Sequence, residues 1–184
     1  MDESEQINFI IDDYDDLFSD FDSRNYNRKS LSDDFLNECK KASLDKNYEG
    51  LELQILLPKK IRQEEKEEII KNRLKSHFLK HNKMILNEKN KLIKEGWILL
   101  ILGIIDLAFS TLAHYYFAEN NELILSLFYV IFDPLGILLL WEGIQKLISG
   151  PKKIINELNF YKKMSNARIV FEELENDNIN SKLI

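Results

Sequence analysis

The stretch Trp97-Ile-Leu-Leu-Ile-Leu-Gly-Ile-Ile-Asp106-Leu-Ala-Phe-Ser-Thr-Leu-Ala-His-Tyr-Tyr-Phe117 decides how the rest of this chain is read. A helix of that length and apolarity crosses a hydrocarbon core of roughly 30 Å. A polar Ala-Glu-Asn-Asn-Glu segment follows at residues 118–122, and a second apolar run occupies residues 123–148. The connector is too short for anything but a reversal of direction. The two runs therefore predict an antiparallel transmembrane hairpin over residues 96–148, with spans at 97–117 and 123–148.

Working outward, Lys89, Lys91 and Lys94 precede the first run, and Lys146, Lys152 and Lys153 accompany the end of the second. The connector holds Glu119 and Glu122 and no base. The positive-inside rule then predicts a multi-pass protein of the cell membrane with both termini cytoplasmic. His114, Tyr115, Tyr116 and Phe117 fall at the outer interface, where amphipathic rings sit. The first apolar run starts near residue 97 and the N-terminus is acidic, so no signal peptide is expected and the first span serves as its own insertion signal.

Charge is unevenly spread. The chain has 184 residues and a formal net charge of −6. Residues 1 to 22 hold nine acids and no Lys or Arg, leaving 22 acids against 25 bases elsewhere. An acidic head on a mildly basic body suits an anionic lipid surface. It excludes nucleic acid as the expected partner, because no basic stripe interleaved with aromatics lies outside the membrane flanks. Cys39 is the only cysteine, which rules out an intramolecular disulfide and a cysteine zinc site.

Residues 1–29 mix those acids with Ile7, Phe9, Tyr14, Leu17, Phe18 and Phe21. Such a composition does not close a core alone, and the segment is read as largely disordered, able to dock on a partner or on this protein's own basic helices. Ile-Asp-Asp-Tyr-Asp-Asp lacks the glycine and the final glutamate of a calcium loop. Ser30 and Asp33 open a short helix as a capping box, with Phe35, Leu36, Cys39 and Ala42 on one face, running to about Leu44. The Asn47-Tyr-Glu-Gly50 segment turns the chain. Leu51, Leu53, Ile55 and Leu57 alternate and predict a strand ended by Pro58.

A long charged helix begins near Ile61 and continues into the first span, with Asn82, Asn87, Asn90 and Gly96 as places to bend. His77 and His81, four apart, face one side, but no third zinc ligand is placed. Beyond the hairpin, Gly150-Pro151 predicts a break, Lys152 to about Ser165 a basic amphipathic helix, and Ala167 to Glu172 a second strand. The tail from Glu173 to Ile184 is polar. The domains so read are residues 1–29, a cytoplasmic part at 30–95, the hairpin at 96–148, and a second cytoplasmic part at 149–184. The expected fold class is an α-helical membrane protein: a two-helix transmembrane hairpin with a small cytoplasmic α+β element, ordered strand, helix, span, span, helix, strand. A tight turn after the first strand and a helix leading into the second make the pair antiparallel.

An acidic aromatic N-terminus, Leu31-Ser-Asp-Asp-Phe-Leu36 at a helix start, and two apolar runs followed by a basic helix and a strand are found together in this chain. In that layout it resembles a family of two-pass bacterial and archaeal membrane proteins. The family has no established activity, so the resemblance implies a membrane location and carries no catalytic residue across. Where its second helix often has Arg-Pro, this chain has Asp133-Pro134.

Asp106 and Asp133 form the candidate site. An ionisable group at mid-bilayer costs about 2.5–3.5 kcal/mol by insertion scales. Asp106 lies nine residues in from Trp97, roughly 14 Å at helical rise, and Asp133 ten residues from Leu123, roughly 15 Å. A hairpin brings them to similar depths. Small residues share their stripes, Gly103 and Ser110 on the first helix and Gly136 and Gly143 on the second, so the stripes are expected to face each other. Pro134 removes a backbone donor and is a place for a kink. Two carboxyls in one dry site cannot both stay charged cheaply. The structural reading is a hydrogen bond that fixes helix packing; the functional one is a proton or cation relay within an oligomer.

No catalytic, metal or cofactor constellation is read from the sequence, and no enzyme is expected. The expected function is a non-enzymatic membrane adaptor or accessory protein that presents its cytoplasmic element and acidic docking segment to a protein partner or to a second copy. The alternative is a small oligomeric channel or transporter, or proton relay, using Asp106 and Asp133. Lipid bilayer is the common partner of both.

Overall fold

The structure is a computed structural model that describes residues 5–46, 50–117 and 122–174, with the backbone alone at residues 117, 122–125, 127 and 128. Residues 1–4 of the acidic head, 47–49 of the expected turn, 118–121 of the connector and 175–184 of the polar tail lie outside the described residues. The chain forms β1 (Gln6–Ile10), a 3-10 turn (Tyr14–Leu17), α1 (Asp33–Ala42), β2 (Glu52–Leu57), a second 3-10 turn (Lys59–Ile61), α2 (Glu64–Phe117), α3 (Glu122–Asn166) and β3 (Arg168–Glu173). It divides into two compact units. One joins Met1–Lys83 to Glu157–Ile184, and the other is Met84–Asn156.

The sheet unit is built on β2. Its alternating Leu51, Leu53, Ile55 and Leu57 are all buried on one face. Each such side chain stabilises by about 1.5–3 kcal/mol when fully buried. Ile7 of β1 and Phe171 of β3 extend that face, and Ile70, Leu74 and Phe78 of α2 cover it. The opposite face is mixed, with Gln6, Asn8, Gln54, Leu56 and Glu172 around a shallow depression and Ile10 exposed beside Leu56.

The three strands are all parallel, in the order β1-β2-β3. Glu52 stands opposite Gln6 on one side and Arg168 on the other. This overturns the expected antiparallel pair, and the reason lies in where α3 ends. Arg62, just before α2, donates to the Phe171 carbonyl at 3.2 Å near the end of β3. Asn82, twenty residues on, donates to Ser165 at 3.4 Å just before β3 begins. Thus α2 traverses the sheet from the finish of the strands to their start. The end of α3 meets α2 at that second end, through Phe160 and Tyr161 against His77, Phe78 and His81. The antiparallel reading assumed that this helix runs back along the sheet. Instead Ala167 leads straight into β3 at the starting edge, where the Arg168 N–H donates to the Leu51 carbonyl at 3.0 Å. The result is a helical crossover between parallel strands.

The expected transmembrane hairpin is corrected as well. Among the described residues one helix is long and apolar enough to cross a membrane, α2, over Glu64–Tyr116. Only 17% of its most apolar stretch is buried, unlike the core helix of a soluble protein. The expected second span opens on residues 123–125, 127 and 128, whose side chains are outside the described set, and what is described of α3 does not count as a second. The break expected at Gly150-Pro151 is not made either: α3 runs through both Pro134 and Pro151. The apolar side continues across it, Leu147 and Ile148 before and Ile154, Ile155 and Leu158 after, so one helix serves both flanks.

The N-terminal segment read as disordered supplies β1, the third strand that the sequence reading lacked. Ile7, Ile11, Tyr14, Leu17 and Phe18 are buried. Its acids make turns: Asp13 accepts from the Asp15 N–H, and Asp16 accepts from the N–H groups of Asp12 and Asp13. The helix cap is Ser32, whose hydroxyl faces the Phe35 N–H, with Asp33 and Asp34 in the first turn. Ser30 is held by its own backbone, donating to the Asp22 carboxylate at 2.7 Å.

The register has a direct check. In a Cys39→Ser background, Glu52→Cys with Arg168→Cys should form a disulfide under mild oxidation, and Glu52→Cys with Glu172→Cys should not. The reverse outcome would restore the antiparallel arrangement.

Candidate functional site

The helical unit owes its packing to four glycines. A Cβ at Gly143 would come within 2.9 Å of the Gly96 carbonyl oxygen and the Leu100 amide nitrogen, and one at Gly103 within 3.0 Å of the Gly136 carbonyl oxygen. Small residues let the backbones of α2 and α3 approach this closely. Lys146 closes one end of the seam on Glu95 at 2.6 Å.

Both aspartates lie on this seam but in different surroundings. Asp133 accepts a hydrogen bond from the Ser110 hydroxyl. Asp106 lies against Gly136, its Oδ2 2.7 Å from the place a Cβ would take there. That oxygen is buried and has no hydrogen-bond partner among the described residues. Ser110 is one turn beyond Asp106, and Gly136 one turn beyond Asp133, so the carboxyls occupy successive layers of the seam. Gly103, Gly136 and Gly143 make the close approach, and Ser110 is a hydrogen-bond donor.

Beyond the glycines a cavity of about 410 Å³ opens, lined by Ser110, Thr111, His114, Tyr129 and Asp133. The His114 and Tyr129 rings stand 5.2 Å apart. Sequence reasoning left His114 as an interfacial ring and did not weigh Thr111. The signal was present as a four-residue spacing on each helix, Ser110 with His114 and Tyr129 with Asp133, which puts each pair on one face.

In the sheet unit, His77 and His81 do not converge on a common point. Their rings stack with centroids 4.2 Å apart, and His81 stacks in turn on Tyr161 at 5.1 Å. Among the described residues no three His, Cys, Asp or Glu side chains gather. Cys39 is fully buried, and burial pushes its thiol well above the ordinary range, so it is an unreactive core residue.

His77 sets a pH dependence. Burial, with His81, Arg73 and Lys80 nearby, lowers it to about 4. An unfolded chain, with an ordinary value near 6.5, takes up the proton first. Stability present above pH 6.5 is therefore lost as pH falls toward 4 and levels off below. After allowance for partial exposure, wild type should lose about 2 kcal/mol more than His77→Phe between pH 7.5 and pH 4 in urea unfolding. Equal losses would remove His77 from the acid response.

Compared with known proteins, the chain matches no family model, no curated protein and no solved structure.

Proposed function

We propose that the chain is a non-enzymatic membrane adaptor, with α2 entering lipid and the sheet unit recruiting a protein partner. The observation that carries this is the apolar surface of the helical unit. On α2, Trp97, Ile101, Ile105 and Phe109 are all more than half exposed, and on α3 so are Ile137, Leu138 and Trp141. A water-soluble protein rarely shows a contiguous apolar surface of this extent, and lipid is the covering its chemistry fits. The acidic head, read from the sequence as bait for a partner, is engaged in the protein's own sheet. Recruitment therefore rests on the outer face of that sheet, around the exposed Asn8 and Glu172.

The hydrogen-bonded pairing of β2 with β3 supports a reading in which the chain before α2 and the chain after α3 share one compartment. The lysines near the helical unit favour the cytoplasm. Reporter fusions at both termini should give the same cytoplasmic signal, and a difference between them would sink the arrangement. The adaptor reading is tested by crosslinking in native membranes followed by affinity capture. Asn8→Arg with Glu172→Arg should abolish the captured partner while leaving membrane retention intact; capture unaffected by these changes would defeat it. A second copy as the captured species is the homo-oligomer outcome.

A further inference from the structure

We propose that the cavity lined by Ser110, Thr111, His114, Tyr129 and Asp133 is a binding site for a hard monovalent cation of the sodium class. The inference rests on the lipid setting of the helical unit proposed above, not on partner recruitment, and does not require conduction.

The chemistry of the lining selects the ligand. Among the described residues it presents a carboxylate, two aliphatic hydroxyls, a phenol and an imidazole, and neither lysine nor arginine. An anion has no partner there. Oxygen donors suit hard cations, while soft or borderline metals need thiolate or several imidazoles, and His114 is the single imidazole among the described lining residues. Charge decides the valence. Asp133 is the one acid among the described lining residues, and it accepts a hydrogen bond from Ser110. A divalent ion would keep an excess positive charge in low-dielectric surroundings, whereas a monovalent ion is balanced.

Geometry supports the same choice. The donors come from two helices at four-residue spacing, so the site exists only where α2 and α3 face each other. The glycine contacts at Gly103 and Gly136 hold that facing pair one to two turns away. Thr111 donates its own proton to the Leu107 carbonyl at 2.7 Å, which leaves its oxygen lone pairs for a cation. A volume near 410 Å³ holds an ion with several of its waters. His114 beside Tyr129 acts as a positioning residue for the phenol.

The test uses the full chain in detergent or nanodiscs. Thermal melts at pH 8 and fixed ionic strength compare NaCl and KCl with N-methylglucamine chloride. The melting temperature of wild type should rise by several degrees with sodium or potassium and saturate. Asp133→Asn should abolish the rise, and Ser110→Ala and Tyr129→Phe should weaken apparent affinity about tenfold. Tyr129→Phe keeps the ring and serves where Asp133→Asn lowers the yield of folded protein. Equal stabilisation by all three salts, or a sodium effect that survives Asp133→Asn, would overturn the site. Partner capture by Asp133→Asn should match wild type, which separates failure here from failure of the adaptor reading.

Discussion

Replacing Glu67 by leucine should cost the sheet unit about 2–3 kcal/mol, because it removes a buried carboxylate that accepts hydrogen bonds from a half-buried Arg62 and from Tyr14. Glu67 is 4% exposed. Its carboxylate accepts from Arg62 Nε and Nη2, both at 3.0 Å, and from the Tyr14 hydroxyl at 3.1 Å. Tyr14 in turn accepts from the Gln63 N–H at 2.9 Å, and Arg62 reaches the Phe171 carbonyl at 3.2 Å. One carboxylate thereby ties the N-terminal turn, the start of α2 and β3 together. The Arg62 hydrogen bonds, helped by Tyr14, hold Glu67 below the ordinary carboxylate range against the opposing effect of burial. A carboxyl lowered on folding contributes stability above its unfolded value, lost as pH falls through the folded one. Urea unfolding at pH 7 and pH 4 should show the wild-type advantage over Glu67→Leu shrinking at the lower pH. Glu67→Gln keeps an acceptor and should cost about 1–2 kcal/mol. Glu67→Leu combined with Arg62→Met should recover much of the loss, since apolar groups then meet. A Glu67→Leu cost under about 1 kcal/mol would show that the network does not bind the three elements.

Local pattern was legible in the chain where one face is buried and period decides. The alternation of Leu51, Leu53, Ile55 and Leu57 placed β2 within one residue, and Ala167 to Glu172 placed β3 likewise. Strand direction was not legible, because it depends on where α3 stops against α2, and nothing in the spacing of Phe160, Tyr161 and Ser165 states that. β1 was missed because Gln6 to Ile10 is short, lies beside a run of acids, and buries one face only when β2 is already in place. The acids themselves misled: Asp13 and Asp16 look like a solvated run and act as a reciprocal turn cap.

The candidate site divides the same way. Glycine spacing showed which stripes of α2 and α3 meet, since a residue without a side chain on a helix face means close approach. It could not resolve one turn of offset. Asp106 and Asp133 were read as partners from similar depth and from the small-residue stripes they share, whereas the structure gives Asp133 a hydroxyl and Asp106 a glycine. A shift of one turn is about 5.4 Å, enough to exchange a carboxyl neighbour for a serine.

Phe78→Ala should remove about 3–5 kcal/mol and should act unevenly across the sheet. Phe78 is fully buried, and its ring meets Phe160 at 6.2 Å, Tyr161 at 6.4 Å and His77 at 5.7 Å. It is the largest fully buried side chain of α2 at the place where the end of α3 docks. The cavity left by alanine loosens that end, and the short step from Asn166 through Ala167 into β3 transmits the slack to the outer strand. β1 is fixed from the other side, through Tyr14 and the turn after it. Amide exchange in the full-length variant should therefore quicken in β3 more than in β1, beside a lowered urea midpoint. Phe78→Leu keeps most of the volume and should cost under about 1.5 kcal/mol with little difference between the strands. Uniform loss of protection in β1 and β3, or a Phe78→Ala cost near that of the leucine variant, would mean that α3 is anchored elsewhere and that Phe78 only fills space.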